Sequence, residues 1–215
     1  MGTILASVII GNARETLADD GTRFTDPTML AWLNEGQREA VRLKPSVNMV
    51  YEPVALVAGT RQETPAGSLG VVGVVKNTNA GGTLMGSAVT MADKTSLDQM
   101  APGWHAENAV VEVVNWMPDA NDEFAWYNYP PADGTGFVEL MHGVTPTAVA
   151  TTGTAITIAD KWEQAMFYYL MYRAKGKTTK AQELSVAATY YVMFQQQLGL
   201  KTRSARPAEA TNGGQ

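Results

Sequence analysis

The chain has 215 residues, no cysteine, 45% hydrophobic and 17% charged residues, and a formal net charge of −5. That length suits one large domain or a domain with a sizeable insertion, and the charge is low beside the roughly one quarter of an average soluble domain. The missing cysteines exclude disulfides, thiolate nucleophiles and zinc sites built on Cys, and the early apolar run Ile4 to Ile10, broken by Ser7 and preceded by no basic residue, is too short for a bilayer span. A soluble chain without an export signal is expected.

Taken in order, the N-terminal segment predicts two helices. Leu5, Val8, Ile9, Ala13, Thr16 and Leu17 recur at three- and four-residue steps and form one stripe. Asp19-Asp20-Gly21 is expected to end that helix, because glycine accepts the positive φ of a helix stop. Asp26 is the expected cap of the second helix, with Pro27 at its first position, where no N–H is needed. Leu30, Leu33, Gln37, Ala40 and Val41 form its face, and Pro45 closes it.

From about 47 to 157 the chain turns rich in Val, Thr, Gly and Tyr, with frequent turn signals. Strands are predicted at Val50 to Ala58, Val71 to Lys76 and Val110 to Trp116, with a short helix at Ser96 to Met100. Turns are predicted at Asn79 to Gly82 and Asp119 to Asp122. Phe124 to Tyr129 and Phe137 to Gly143 alternate across the Pro130-to-Gly136 loop and predict a hairpin. The region reads as an antiparallel β domain.

Two helices follow. Asp160 is the expected cap of the first, whose face is Trp162, Ala165, Met166, Tyr169, Leu170 and Arg173, with Gly176 as its break. The next is expected from Thr178 to Leu198. It carries Val186, Tyr190, Met193 and Phe194 outside its main stripe, so it needs neighbours on more than one side, from the β domain or another subunit. Past Gly199 the residues are small, polar and at first basic, and flexibility is expected. The predicted fold is therefore α+β: a four-helix bundle of an N-terminal pair (1–46) and a C-terminal pair (158–199), an inserted antiparallel β domain (47–157) and a flexible tail (200–215).

Charge is segregated along the chain. Between Thr95 and Asp160 there is no Lys or Arg but nine acids: Asp98, Glu107, Glu112, Asp119, Asp122, Glu123, Asp133, Glu139 and Asp160. From Lys161 to Arg206 eight basic residues face only Glu163 and Glu183. Such a chain can present different potentials to two partners; a solvated acidic loop region beside a basic helix pair is the plainer reading.

No catalytic constellation is visible. His105 and His142 stand at unrelated positions without a ligand pattern. Gly67 to Gly73 lacks both the dinucleotide fingerprint and the GK[ST] of a P-loop. Asp119 to Glu123 begins like a calcium loop, but Phe124 stands where Gly is required and Pro130 where Glu is required. Trp116, Phe124, Trp126, Tyr127 and Tyr129 could stack sugars, although aromatics at alternating strand positions more often serve a core or a subunit contact. No catalytic, cofactor or metal residue is assigned.

Five stretches in register resemble the head-to-tail connector, or portal adaptor, proteins of tailed phages. They are Met29 to Glu39 with Arg42-Leu43-Lys44-Pro45; Ala58-Gly59-Thr60-Arg61-Gln62 followed by Pro65; Leu97-Asp98 with Pro102-Gly103-Trp104-His105; Phe124 to Pro131; and Tyr172-Arg173-Ala174 with Phe194 to Leu198. The resemblance covers about residues 3–200 and includes the tail tubular protein A group of short-tailed phages. It implies a ring, typically of twelve copies, docked beneath the portal protein. The tail nozzle or tube lies on the other side, and double-stranded DNA passes through the lumen without specific binding. It implies no enzyme activity and no cofactor, and a place at the head–tail junction of a virion assembled in the host cytoplasm, away from membranes. Lys201, Arg203 and Arg206 are then candidate portal contacts, and Trp126, Tyr127, Tyr129, Tyr190 and Phe194 candidate tail or subunit contacts. The alternatives are another tail subunit (tail-completion or baseplate), a carbohydrate-binding module, or an unrecognised hydrolase that would lack visible paired residues.

Overall fold

The computed structural model describes residues 2–177 and 181–200. The chain is α+β, with five α-helices and two sheets among these residues. None of the helices is long and apolar enough to cross a membrane.

Helix α1 spans Ala6–Leu17 and buries Ala6, Ile9, Ile10 and Ala13, the stripe its spacing dictates. It stops at Ala18, which takes the left-handed conformation (φ 49°), three residues ahead of the glycine expected to do so. Helix α2 spans Asp26–Leu43. Thr25, rather than Asp26, occupies the cap position and makes no side-chain cap bond; Asp26 is already helical and pairs with Arg14 at 2.7 Å. Lys44 ends α2, and Pro45 opens a 3-10 turn, Pro45–Val47, that leads into the sheets.

The first sheet joins β1 (Met49–Ala55), β7 (Phe137–Val144) and β3 (Ser68–Thr78) in the order β1-β7-β3, all antiparallel. The second has the order β2-β6-β5-β4, from β2 (Gly59–Glu63), β4 (Thr90–Met91), β5 (Asn115–Pro118) and β6 (Ala125–Ala132). β4 and β5 pair in parallel, so this sheet is mixed and not purely antiparallel. The strand expected at Val110 to Trp116 begins only at Asn115. The expected hairpin of β6 and β7 does not form, because the two strands belong to different sheets. β7 is the central strand of its sheet, and with β1 and β3 on its two edges it has none left for β6. Leu56, Val74, Val89, Val113, Trp116, Trp126, Ala132, Val138 and Leu140 form one core between the sheets. Helix α3 (Lys94–Met100) is capped by Asp93, which accepts from the N–H groups of Thr95 and Ser96.

The second core is helical. Helix α4 (Glu163–Lys175) is its hub, packed by α1, α2 and α5 (Ala181–Gln197). The expected four-helix bundle is not what forms. α1 and α2 touch each other little, and the extended segment 145–159 threads among the helices. Thr154 and Thr152 carbonyls accept from the N–H groups of Ala6 and Ser7, and Ile156 N–H donates to the Ile4 carbonyl. Val149, Ile156 and Ile158 are buried in the helical core. Asp160 does not cap α4. It lies in a preceding 3-10 turn, and its carboxylate accepts from the Thr3 N–H at 2.6 Å, the Ile4 N–H at 3.1 Å and the Thr3 hydroxyl at 2.7 Å.

Candidate functional site

The residues that carry the sequence resemblance are joints of the fold. On α2, Asn34 donates to the Val149 carbonyl and accepts from the Val149 N–H. Gln37 is buried and accepts from the N–H and hydroxyl of Thr157 at 2.8 and 2.9 Å. A buried amide with its bonds made fixes the passing backbone, since leaving those groups unpaired is expensive. Glu35 pairs with Arg173 of α4. Glu39 accepts from Arg42 and from the hydroxyl of Tyr191 on α5. The Arg42 bond is the main cause holding Glu39 below the usual carboxylate range, while burial and then the Glu39 bond push the Tyr191 phenol up to about 12.

In the sheets, Gln62 closes its own loop, bonding the N–H and carbonyl of Val57. Trp104 is fully buried, donates to Asp98 at 2.9 Å and meets the rings of Tyr127 and Tyr129 edge-on. Asp98 also accepts from Lys94, whose hydrogen bond is the main cause lowering that carboxyl's pKa.

One arrangement escaped the sequence reading. His142 is buried, with Nε2 at 2.9 Å from Glu52 Oε1 and Nδ1 at 2.8 Å from the Ser68 hydroxyl. Serine, histidine and carboxylate in series are the parts of a nucleophilic triad. Here Ser68 is itself buried, and its hydroxyl lies 2.7 Å from the Pro65 carbonyl that it can bond. The three side chains come from β3, β7 and β1, so they clasp the three strands of one sheet across their registers. Only their topology, which no spacing in the sequence announces, brings them together. Among the described residues no group of three His, Cys, Asp or Glu side chains could hold a metal ion.

The aromatic candidates separate by position. Trp126 is 1% exposed and belongs to the β core, and Phe194 is fully buried among the helices, against Tyr169 and Tyr191. Trp116 is buried as well, so the two tryptophans of the alternative sugar platform face inward, in the core role that alternating strand positions favour. Tyr127, Tyr129 and Tyr190 are half-buried, Tyr190 against Tyr168. Lys201, Arg203 and Arg206 lie outside the described residues.

The surface carries the remaining signal. Met85 and Met100 are each 84% exposed and Met91 66%, all in the β region. On α5, Leu184, Val186, Val192 and Met193 stand in solvent, and residues 184–200 contain no charge at all. Single exposed apolar side chains are ordinary, but several of them on a helical stretch without charge mark a surface suited to binding protein.

An α+β chain whose polar clusters tie strands and helices together, and whose last helix leaves a largely uncharged surface in solvent, has the make-up of a structural assembly subunit. The chain belongs to the SU10 adaptor protein family, whose model matches residues 5–213. It is thus a phage adaptor with a structural role, a virion component that interacts with other head or tail proteins. No curated protein matches the chain.

Proposed function

We propose that the chain forms a head-to-tail adaptor ring, typically of twelve copies, comparable to tail tubular protein A of short-tailed phages. The ring docks beneath the portal, receives the tail nozzle or tube on its other side, and encloses part of the DNA ejection channel. The observation that carries this reading is the uncharged, solvent-facing side of α5 in a member of an adaptor family, because a lone subunit gains nothing from such a face.

In this reading residues 1–46 and 158–199 make the helical body, 47–157 the inserted β domain except that its last stretch, 145–157, packs into the helical body, and 200–215 a tail that orders on the portal. Lys201, Arg203 and Arg206 contact the portal, and part of the acidic region 95–160 faces the lumen or the tail. An acidic wall repels phosphates, so the duplex slides without salt-sensitive drag. Tyr127, Tyr129 and Tyr190 remain candidates for contacts with the tail or a neighbouring subunit.

Negative-stain microscopy of this protein, alone and mixed with the portal protein of its own genome, tests the proposal. A new ring layer on the portal is expected, and it gives the symmetry directly. Free monomers beside unchanged portals would refute it and turn attention to the tail-completion and baseplate alternatives. Removing residues 201–215 is expected to weaken portal binding; unchanged binding would refute the role of the three basic residues.

A further inference from the structure

We infer that the contact between neighbouring copies seats the outer face of α5 from one copy on the exposed face of α1, around Gly11, of the next. The inference rests on the ring reading above.

Gly11 is the first observation. It lies inside α1, is exposed, and has open space for 4 Å around the point where a Cβ would sit. Glycine inside a helix is less favourable than alanine, so it needs a reason. Gly36, inside α2, has one within its own chain: a Cβ there would stand 2.8 Å from the Tyr169 ring. Among the described residues Gly11 has none. The close approach of a helix from another chain supplies it.

The second observation is electrical. Residues 2–13 carry no Asp, Glu, Lys or Arg, and neither do residues 184–200. On α1 the exposed neighbours of Gly11 are Ser7, Val8, Asn12 and, one turn on, Glu15. Beside them a groove between α1 and α4 is lined by Ile9, Thr16, Gln164 and Phe167, with Glu15 and Glu163 its two charged members. On α5 the outer face presents Leu184, Ala188, Val192 and the small side chains of Ser185 and Thr189. Glu15, one turn beyond Gly11, is the acid on this α1 face; toward Val8 the two helices can approach closely without stripping water from an ion.

The third observation is placement. α1 and α5 both pack on α4 yet share at most a marginal contact with each other. The α5 side of α4 holds Tyr168, Tyr169 and Tyr172, and the groove beside α1 holds Glu163, Gln164 and Phe167. Two different patches on two flanks of one subunit make a heterologous contact, the kind that closes into a ring.

The absence of cysteine makes the test clean. Val8→Cys and Val192→Cys are both at exposed positions. Rings of the double variant, treated with a bismaleimide and run under denaturing conditions, are expected to give a ladder of linked copies. Rings mixed from the two single variants should give dimers, and neither single variant alone should link. Gly11→Gln is expected to stay folded and monomeric, with its thermal midpoint kept or raised and its ring lost. Intact rings that yield only monomer bands would overturn the inference and leave the adaptor ring standing; α5 would then face the portal or residues 201–215. Dimers from one single variant would overturn it too, by showing a self-paired contact. A wild-type chain that forms no ring, alone or on the portal, would bring down both readings.

Discussion

At the scale of single residues, the joint between the two cores depends on an absent side chain. A Cβ on Gly143 would stand 2.6 Å from Pro45 Cβ, 2.9 Å from its Cα and 3.0 Å from its carbonyl oxygen. The 3-10 turn Pro45–Val47 carries the chain from α2 into β1, so neither backbone can retreat without disturbing a core. Gly143→Ala is therefore expected to destabilise the protein by about 1–3 kcal/mol, as overpacking does. Gly36→Ala meets only the Tyr169 side chain and regains about 1 kcal/mol of helix propensity, so its loss should be the smaller. Chemical denaturation of the two variants measures both, and a Gly143→Ala protein as stable as wild type would discard the argument. Neither role was legible in the sequence, because a glycine's reason lies in what approaches it through space. Gln37 shows the same limit. Its place on the α2 face followed from spacing, but its bonds to Thr157 depend on a segment 120 residues away.

At the scale of elements, periodicity located the helices to within a few residues, because a 3.6-residue stripe is a local property of the chain. It could not say what each helix packs against. Segment 145–157, read from its Thr and Val content as part of the β domain, packs on the helices through Val149 and Ile156. Alternation likewise marked β6 and β7 as strands, but the hairpin pairing drawn from it failed, since any antiparallel neighbour satisfies the same pattern. Asp160 shows the element-level consequence: its carboxylate ties residues 3 and 4 to the start of the α4 segment. The Thr3 hydroxyl bond first, then the Ile4 and Thr3 backbone bonds, hold its pKa below the ordinary 3.8. A depressed folded pKa means that the stabilisation is full above that ordinary value and is lost as the pH falls through the folded value. Asp160→Asn should then melt below wild type at neutral pH, with the gap closing under acid; a gap independent of pH would contradict this origin. On α5, Phe194→Ala should cost about 3–5 kcal/mol because the ring is fully buried, and it should lose assembly only through unfolding. Circular dichroism that showed a folded Phe194→Ala monomer unable to assemble would instead make Phe194 an interface residue.

At the scale of the whole molecule, the charge segregation seen in the sequence acquires a geometry. Of the nine acids between 95 and 160, four are answered by cations from outside that stretch: Asp98 by Lys94, Asp119 and Asp122 by Arg61, and Glu139 by Lys76. Glu107, Glu112 and Asp133 are exposed and, among the described residues, paired with no cation. Glu107 raises the pKa of the Tyr129 phenol, while Glu112 bonds the Ser87 hydroxyl and Asp133 the N–H and hydroxyl of Thr135. In the proposed ring these three carboxylates are the candidates for a repulsive lumen wall. Replacing all three by lysine reverses that wall. If they face the channel, the triple-lysine ring should retain linear duplex DNA at about 50 mM salt and release it as salt rises, with a slope of roughly −0.9 per phosphate contacted. Closed circular duplex cannot thread a ring and should not be retained, whereas wild-type rings should hold neither form. Equal retention of both forms would place the three residues on the outside. Retention of neither would mean that the duplex never comes near them, and the acidity of this region would then have to be explained by the tail.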